Sequence, residues 1–444
     1  MFRRAVVVAA SCVCAQVAHA GQSTCANPGL PIGAAASSDL MPGRLTLSLT
    51  TGMLIQDGTD VVMEAGGTIR YDAHLLVGET RLSTEYALTP YLAVGLGVPY
   101  RDVRISVDYR DPATGAPLAN ASSIHIRDEQ IAGLGDPTLH VHAAGELGAW
   151  RVHGRLGTNV PAGSTEEDPH ALGAIGQKHQ HVQLGTGTFI PYAALEVQRA
   201  LRDMIASVWT LARLSLYDNH HGFRQGHRLS AGLTLSSRLG TRAFTFGLAS
   251  EVHGETAETW YGVEYRDEGN TGRIDVLAGG SVAWSPAPAF AIVGDVRVPV
   301  ASHIEGTQVD LGPVFGLGII GTFDLAPRAK WRGLDEAPLG PAGTAAPIVT
   351  VPGKLTVIDL WATWCAPCRE LDQRLVALVA AHPDRIAVRK LDVGDDESAA
   401  WQRYLAPGGF ALPHLKVYGP DGALLFEKSA PPEELVRAVE QLLR

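Results

Sequence analysis

From Arg44 to Phe323 apolar residues alternate with small or polar ones, in runs of about 9 to 14 residues broken by turn clusters. A repeat of two puts successive side chains on opposite faces, so this stretch reads as extended strands whose two sides meet different surroundings. RLTLSLTTGMLI (44–55), ETRLSTEYALT (79–89), WRVHGRLGTNV (150–160) and HRLSAGLTLSSRL (227–239) are clear examples. In the last of these Leu229, Ala231, Leu233 and Leu235 share one face, and Ser230, Gly232 and Thr234 the other. With weaker runs included, the region predicts about twelve strands.

Alternation alone fits a soluble β-sandwich as well as a lipid-facing barrel with a polar lumen. Three features favour the barrel. Strand lengths approach the ~9–11 residues of a tilted membrane strand, the last strand ends in Phe323, and residues 1–20 read as an export signal. In that signal Arg3 and Arg4 precede an apolar run and Ala18-His19-Ala20 offers a small-x-small cleavage site. Lipidation of Cys12 or Cys14 is an alternative reading of the same segment. No other run has 18 apolar residues, so no membrane-spanning helix is expected. A net charge of -10 and a pI near 5.9 argue against a nucleic-acid partner.

Segments 133–147, 154–164 and 181–196, GLGDPTLHVHAAGEL, GRLGTNVPAGS and HVQLGTGTFIPYAALE, resemble a family of outer-membrane barrels assigned to transport and to phenol-degradation pathways. The closing Phe323 is similar to the terminal aromatic of bacterial outer-membrane barrels. The resemblance spans roughly residues 40–325 and implies architecture and location rather than a solute. Histidines are frequent here. His140 with His142, and His179 with His181, stand at i and i+2, with His170, His220, His221, His227 and His253 in addition. Such imidazoles could ligate a metal, but pairs without acidic or thiolate partners at fixed spacing define no site, and no metal is assigned. Residues 163–180 lack periodicity and are expected as an external or lumen-folding loop.

The pattern changes after Phe323. Residues 324–352 are rich in Pro, Gly and Ala and read as a linker, spanning roughly 30 Å if flexible. An even-stranded barrel returns both ends to the side it was inserted from, so the following domain, residues 353–444, is expected in the periplasm. There TVIDLWATW (356–364) is a buried strand leading into CAPC and the amphipathic helix RELDQRLVALVAAH (369–382). RIAVRKLDV (385–393) is a second strand, SAAWQRYLA (398–406) a helix, residues 414–428 a hairpin turning at Pro420–Gly422, and PPEELVRAVEQLLR (431–444) a closing helix begun by prolines and acids.

This βαβαββα order with WATWCAPC resembles the thioredoxin family over about 90 residues. The resemblance implies a thioredoxin fold and thiol-disulfide exchange. It implies a buried acid at Asp359, its lysine partner at Lys390 and a cis-proline at Pro413. Only 45 positions separate Cys368 from Pro413, which leaves little room for a central insertion. Two departures from the family pattern are His414, where threonine is usual, and the missing glycine near Ser429 to Pro432. Both put partner choice in doubt, not the chemistry.

Placed at a helix N-terminus, Cys365 is the expected attacking thiolate, and Cys368, one turn later and more buried, the resolving thiol. Asp359 is expected to take the Cys368 proton with Lys390 tuning its charge. Trp364, Ala366, Pro367, Leu412 and Pro413 are expected to face the substrate, with the Leu412 backbone presented to an extended segment. Of Trp361 and Trp364, one should pack in the core and the other line the active face. A zinc site at the Cys pair would need a second ligand pair, and only His382 and His414 are at hand. Cys25 reads as an unpaired thiol or as a partner for Cys365.

The sequence therefore predicts a multidomain chain: signal (1–20), N-terminal segment (21–43), all-β outer-membrane-type antiparallel barrel (44–323), linker (324–352) and α/β thioredoxin domain (353–444). The expected function is that of an outer-membrane-tethered periplasmic thiol-disulfide oxidoreductase without a cofactor. Its partners would be periplasmic protein thiols and disulfides, an electron donor, and outer-membrane lipid around the barrel. Ala366-Pro367 resembles reducing members of the family. The rival reading is a transport or binding barrel with the thioredoxin domain as sensor or chaperone.

Overall fold

The structure, a computed structural model, describes residues 40–444 except 65–66, 120, 122, 125–126, 202–203, 239–243, 266–268, 288, 307–309 and 326–330, together with the side chains of 60, 62–64 and 366. The proposed signal, Cys12, Cys14 and Cys25 lie outside the described residues. The chain folds as two compact units, one of them essentially Arg44–Phe323 and the other essentially Asp324–Arg444.

The first unit is a closed antiparallel barrel. Its chain order is β1 (Arg44–Glu64), β2 (Gly67–Thr89), β3 (Leu92–Arg110), β4 (Glu129–Leu134), β5 (Thr138–Leu147), β6 (Trp150–Asn159), β7 (Pro191–Leu201) and β8 (Met204–Arg213). After a short β9 (Phe223–Arg224) come β10 (Arg228–Arg238), β11 (Phe244–Thr256), short β12 (Thr259–Trp260), β13 (Gly272–Ala287), β14 (Phe290–Ile304) and β15 (Val314–Asp324). Each barrel strand pairs with its sequence neighbour, and β1 lies between β2 and β15, so the sheet leaves no free edge. β4 and β5 are one strand broken at residues 135–137: β3 pairs with β4 over Tyr100–Ile105 and with β5 over Leu92–Gly97. Counted so, the barrel has twelve strands.

The alternation sorts as expected. On β10, Leu229 and Leu233 are each 59% exposed on the outside while Ser230 is buried. Exposed Leu82, Leu156, Leu248 and Val300 continue this outer apolar surface, and buried His142, Glu196, Glu251 and Asp275 line the inside.

The lumen is not uniformly polar. Leu54, Leu75, Val77, Val103, Leu277 and Val314 form an apolar cluster inside it, completed by Val182. Val182 belongs to the segment between β6 and β7, so the part of that segment that follows the 163–180 region reaches into the lumen. The latch is Asp136 at the break between β4 and β5. Its carboxylate accepts hydrogen bonds from Ala162 N at 3.1 Å, Gly163 N at 2.9 Å, Thr186 N at 2.8 Å and Asn159 Nδ2 at 2.7 Å. Gly163 and Gly185 approach so closely that a Cβ on Gly185 would lie 2.5 Å from the Gly163 backbone.

In the second unit a five-stranded sheet has the order β16 (Glu336–Pro338), β18 (Ile386–Asp392), β17 (Leu355–Trp361), β19 (His414–Tyr418), β20 (Leu424–Ser429). β16, β17 and β18 run parallel, and β19 and β20 antiparallel to their neighbours. Helix α1 (Pro169–Ala174) belongs to the barrel's inward segment, and α2 (Ala366–Ala381), α3 (Ala399–Tyr404) and α4 (Pro432–Leu442) to this unit. Leu371, Leu375, Val379, Leu435 and Val439 from α2 and α4 pack against Val357, Val388 and Val417 of the sheet. The stretch read as linker contributes β16, and Trp331 and Leu334 pack on this core.

Candidate active site

β17 is buried from Leu355 to Leu360, and apolar there except for Thr356 and Asp359, because both faces of the sheet are covered. It ends at Trp361, and four residues later, at Cys365, the chain turns into α2. Cys365 is the N-cap of that helix: its backbone is extended, and its Sγ accepts from Cys368 N–H at 3.1 Å. Pro367 suits the first turn, where its missing N–H costs nothing. Cys365 and Cys368 are joined as a disulfide with Cα atoms 5.3 Å apart. Both are nearly buried, at 3% and 2% exposure, so Cys368 is not distinctly the more buried of the two in this oxidised state. So joined, they present no thiolate pair to a metal.

The peptide between Leu412 and Pro413 is cis, immediately before β19. Leu412 and Phe410 pack against the cluster that contains both cysteines. Trp364 is 45% exposed and donates its Nε1–H to Gly394 O at 2.7 Å, while Trp361 is partly buried against that cluster. Of the two indoles, Trp361 is thus the more buried and Trp364 the exposed one. Pro367 is exposed; the Ala366 side chain lies outside the described atoms.

Asp359 in β17 is completely buried, and neither carboxylate oxygen has a hydrogen-bond partner within 3.5 Å among the described residues. Burial pushes its carboxyl up to about 7; Lys390 pulls the other way and Asp372 adds to the push. Lys390 Nζ lies 3.7 Å from Asp359 Oδ2 but is hydrogen-bonded to Asp372 Oδ1. Trp331 Nε1 donates to the same Asp372 oxygen at 2.9 Å, and the Lys390 ammonium sits 4.8 Å from the Trp361 ring centre. The lysine is thus shared between two acids. Asp372 and Trp331 were missed from sequence. An acid on the α2 face that also carries Leu371 and Leu375 was the available signal for Asp372.

His414, the departure from the family pattern, is buried beneath the proline loop. Its Nδ1 is 2.9 Å from Ser429 Oγ, its Nε2 is 3.2 Å from Glu427 Oε1, and its ring lies 4.4 Å from that of Phe410. Ser429 Oγ donates to Ala411 O at 2.6 Å. The serine at the position of the missing glycine therefore ties β20 to the loop that carries Leu412 and Pro413. Burial lowers the His414 pKa, with Glu427 opposing.

The histidine pairs of the barrel are engaged with an acid or with one another. His140 and His142 each reach Glu85 at 3.1 Å, and His142 Nε2 is 3.2 Å from His153 Nδ1. His181 lies edge-on to His170 and His179, and His170 stacks on Tyr265. Among the described residues no group of three or more His, Cys, Asp or Glu side chains is set to hold a metal ion.

The Thioredoxin family profile matches residues 347–428. Thioredoxin from Alicyclobacillus acidocaldarius subsp. acidocaldarius is 30% identical over 83 residues, 19% of this chain and 68% of that protein. Thioredoxin from Mycolicibacterium smegmatis is 31% identical over 85 residues, 19% of this chain and 67% of that protein. Among solved structures, an outer membrane channel from Pseudomonas putida F1 aligns over 65% of this chain and all of that one, at 12% identity and a TM-score of 0.46.

Proposed function

Since the chain belongs to the thioredoxin family through its C-terminal domain, we propose that it is a thiol-disulfide oxidoreductase that reduces protein disulfides, carried on an outer-membrane barrel with the redox domain in the periplasm. One observation carries the reading. The Cys365–Cys368 pair sits at the first turn of a sixteen-residue helix, with Cys365 Sγ already accepting a backbone N–H. The same donor and the helix dipole stabilise a thiolate at Cys365 once the pair is reduced.

The reaction runs from the dithiol. The Cys365 thiolate attacks one sulfur of a substrate disulfide, forming a Cys365–substrate bond and releasing the other substrate sulfur as a thiolate. Cys368 then gives up its proton, attacks Cys365 Sγ, and expels the remaining substrate thiolate. Two electrons pass to the substrate, and the enzyme is left as the disulfide seen here. Asp359 is the proton acceptor for Cys368: a carboxyl near 7 is matched to exchanging a proton at neutral pH. Lys390 tunes that value. Trp364, Ala366, Pro367 and the Leu412–Pro413 backbone form the surface that an extended substrate segment lies along. An electron donor must restore the dithiol.

Membrane placement rests on the barrel. A closed sheet with an apolar exterior satisfies its backbone internally and suits lipid. The test is capture. A Cys368→Ser variant, expressed in the envelope of a Gram-negative bacterium, should accumulate mixed disulfides with protein substrates through Cys365. Absence of any reducible adduct, with the barrel folded in the outer-membrane fraction, contradicts the assignment.

A further inference from the structure

The barrel's register brings a charged row together on the lumen wall. β7, β8, β10, β11 and β13 place Tyr192, Arg213, Arg228, Glu255 and Arg273 side by side as direct cross-strand partners. All five share the inward parity of buried Glu196, Trp209, Ser230, Glu251 and Asp275 on the same strands. Arg213 and Arg228 therefore face each other directly, an arrangement that destabilises a sheet unless the charge is compensated.

The neighbouring arginines have acids. Arg228 pairs with Glu255 at 2.8 Å, Arg273 with Asp275 at 2.6 Å, and Arg81, reaching this level from β2, with Glu79 at 2.7 Å. Arg213 has no hydrogen bond or ion pair to a side chain among the described residues. Its electrostatic neighbours are Arg228 and Arg81, which repel it, and Glu79 and Tyr192. Arg101 of β3 joins the same field, coupled to Glu79, Glu255 and Arg228. Among the described residues, the guanidinium groups of Arg81, Arg101, Arg213 and Arg228 thus share this part of the wall with the carboxylates of Glu79 and Glu255.

Tyr192 completes the arrangement. Its ring lies against Gly157, where a Cβ would come within 2.7 Å of the ring, so the phenol is held at the wall beside Arg213. We propose that this row is a binding site for a small organic carboxylate, received by the Arg213 guanidinium fork with the Tyr192 hydroxyl as a second donor. A planar carboxylate matches the fork with two parallel hydrogen bonds and neutralises a guanidinium that has no acid paired with it among the described residues. The site lies in the barrel and is independent of the redox domain.

The test uses the full chain in detergent micelles, with benzoate as probe and neutral benzamide as control, followed by isothermal titration calorimetry. Benzoate should bind with one-to-one stoichiometry and at least tenfold more tightly than benzamide. Arg213→Gln should weaken benzoate roughly tenfold or more, as expected for losing a charge-assisted hydrogen bond. Tyr192→Phe, which removes the hydroxyl and keeps the ring, should weaken it while leaving Arg213 in place. Without benzoate, Arg213→Gln should unfold at the wild-type temperature or above it, since it removes an uncompensated like charge. Equal binding of benzoate and benzamide to the wild-type protein overturns the proposal. So does unchanged benzoate affinity in Arg213→Gln, or a lowered unfolding temperature of that variant in the absence of probe, which would make Arg213 a structural residue.

Discussion

Asp359→Asn should change the stability of the redox domain in a pH-dependent way, and the size follows from burial. The carboxyl rises from an ordinary 3.8 to about 7 in the folded protein. At ~1.36 kcal/mol per pH unit, a difference of about three units is ~4 kcal/mol. The sign is that of an acid raised on folding. Between pH 3.8 and about 7 the folded state holds more protons than the unfolded state, so wild-type stability falls as pH rises through this window and levels off above it. Asparagine has no such dependence. A buried amide lacking partners adds a cost of its own, ~1–3 kcal/mol, but that cost is the same at every pH. The quantity to measure is therefore the stability difference between variant and wild type at pH 8, minus that at pH 4. Hydrogen exchange of the Val357–Leu360 amides in the oxidised full chain reads it, because amides of a buried central strand are expected to be among the last in a domain to open. The expected value is ~3–4 kcal/mol in favour of the variant. A difference below ~1 kcal/mol would mean that Asp359 is not held protonated by burial, and its role as proton acceptor would go with it.

Other outcomes follow from single contacts. Reduced Asp359→Asn should release the mixed disulfide roughly 10²-fold more slowly than wild type in single-turnover experiments at pH 7, with the initial attack by Cys365 unchanged. His414, whose pKa is lowered in the fold, contributes stability that is present above pH ~6.5 and is lost as pH falls through its folded value. This slope opposes that of Asp359 in the same window, so His414→Gln should make the stability of the domain fall more steeply from pH 5 to 7 than in wild type, and a profile identical to wild type would contradict the burial argument. Ser429→Ala should leave Cys365 alkylation unchanged but weaken capture of protein substrates, since the Ala411 and His414 ties to the proline loop are cut. In the barrel, Asp136→Ala removes the acceptor for three backbone amides of the inward segment, and single-channel conductance in planar bilayers should rise.

Much of this architecture was legible because two periodicities are written strongly. Alternation over 227–239 assigned Leu229 and Leu233 to the outside and Ser230 to the inside, and WATWCAPC fixed the position of the strand, turn and helix around Cys365. Where reading stopped, the signal was of another kind. β1 to β3 run 21, 23 and 19 residues, longer than expected, because Asp57, Gly58 and Pro99 look like turn residues yet sit within continuous ladders. The Asp136 latch joins backbone groups 26 to 50 positions away, and no local pattern carries that. β16 is three residues in a Pro-rich stretch, below the length at which alternation can be seen. At the redox site, Asp359, Lys390 and Pro413 were marked by position relative to the cysteines. Asp372, Trp331 and the Ser429 tie were not, since each acts through a side-chain contact made only on folding.

The central claim is that the Cys365 sulfur is a stabilised anion at neutral pH. The rate of iodoacetamide alkylation of the reduced Cys368→Ser protein, measured from pH 4 to 10, tests it most directly. The expected midpoint lies at least one unit below the ~8.5 of a free thiol. A midpoint at or above that of free cysteine would contradict it.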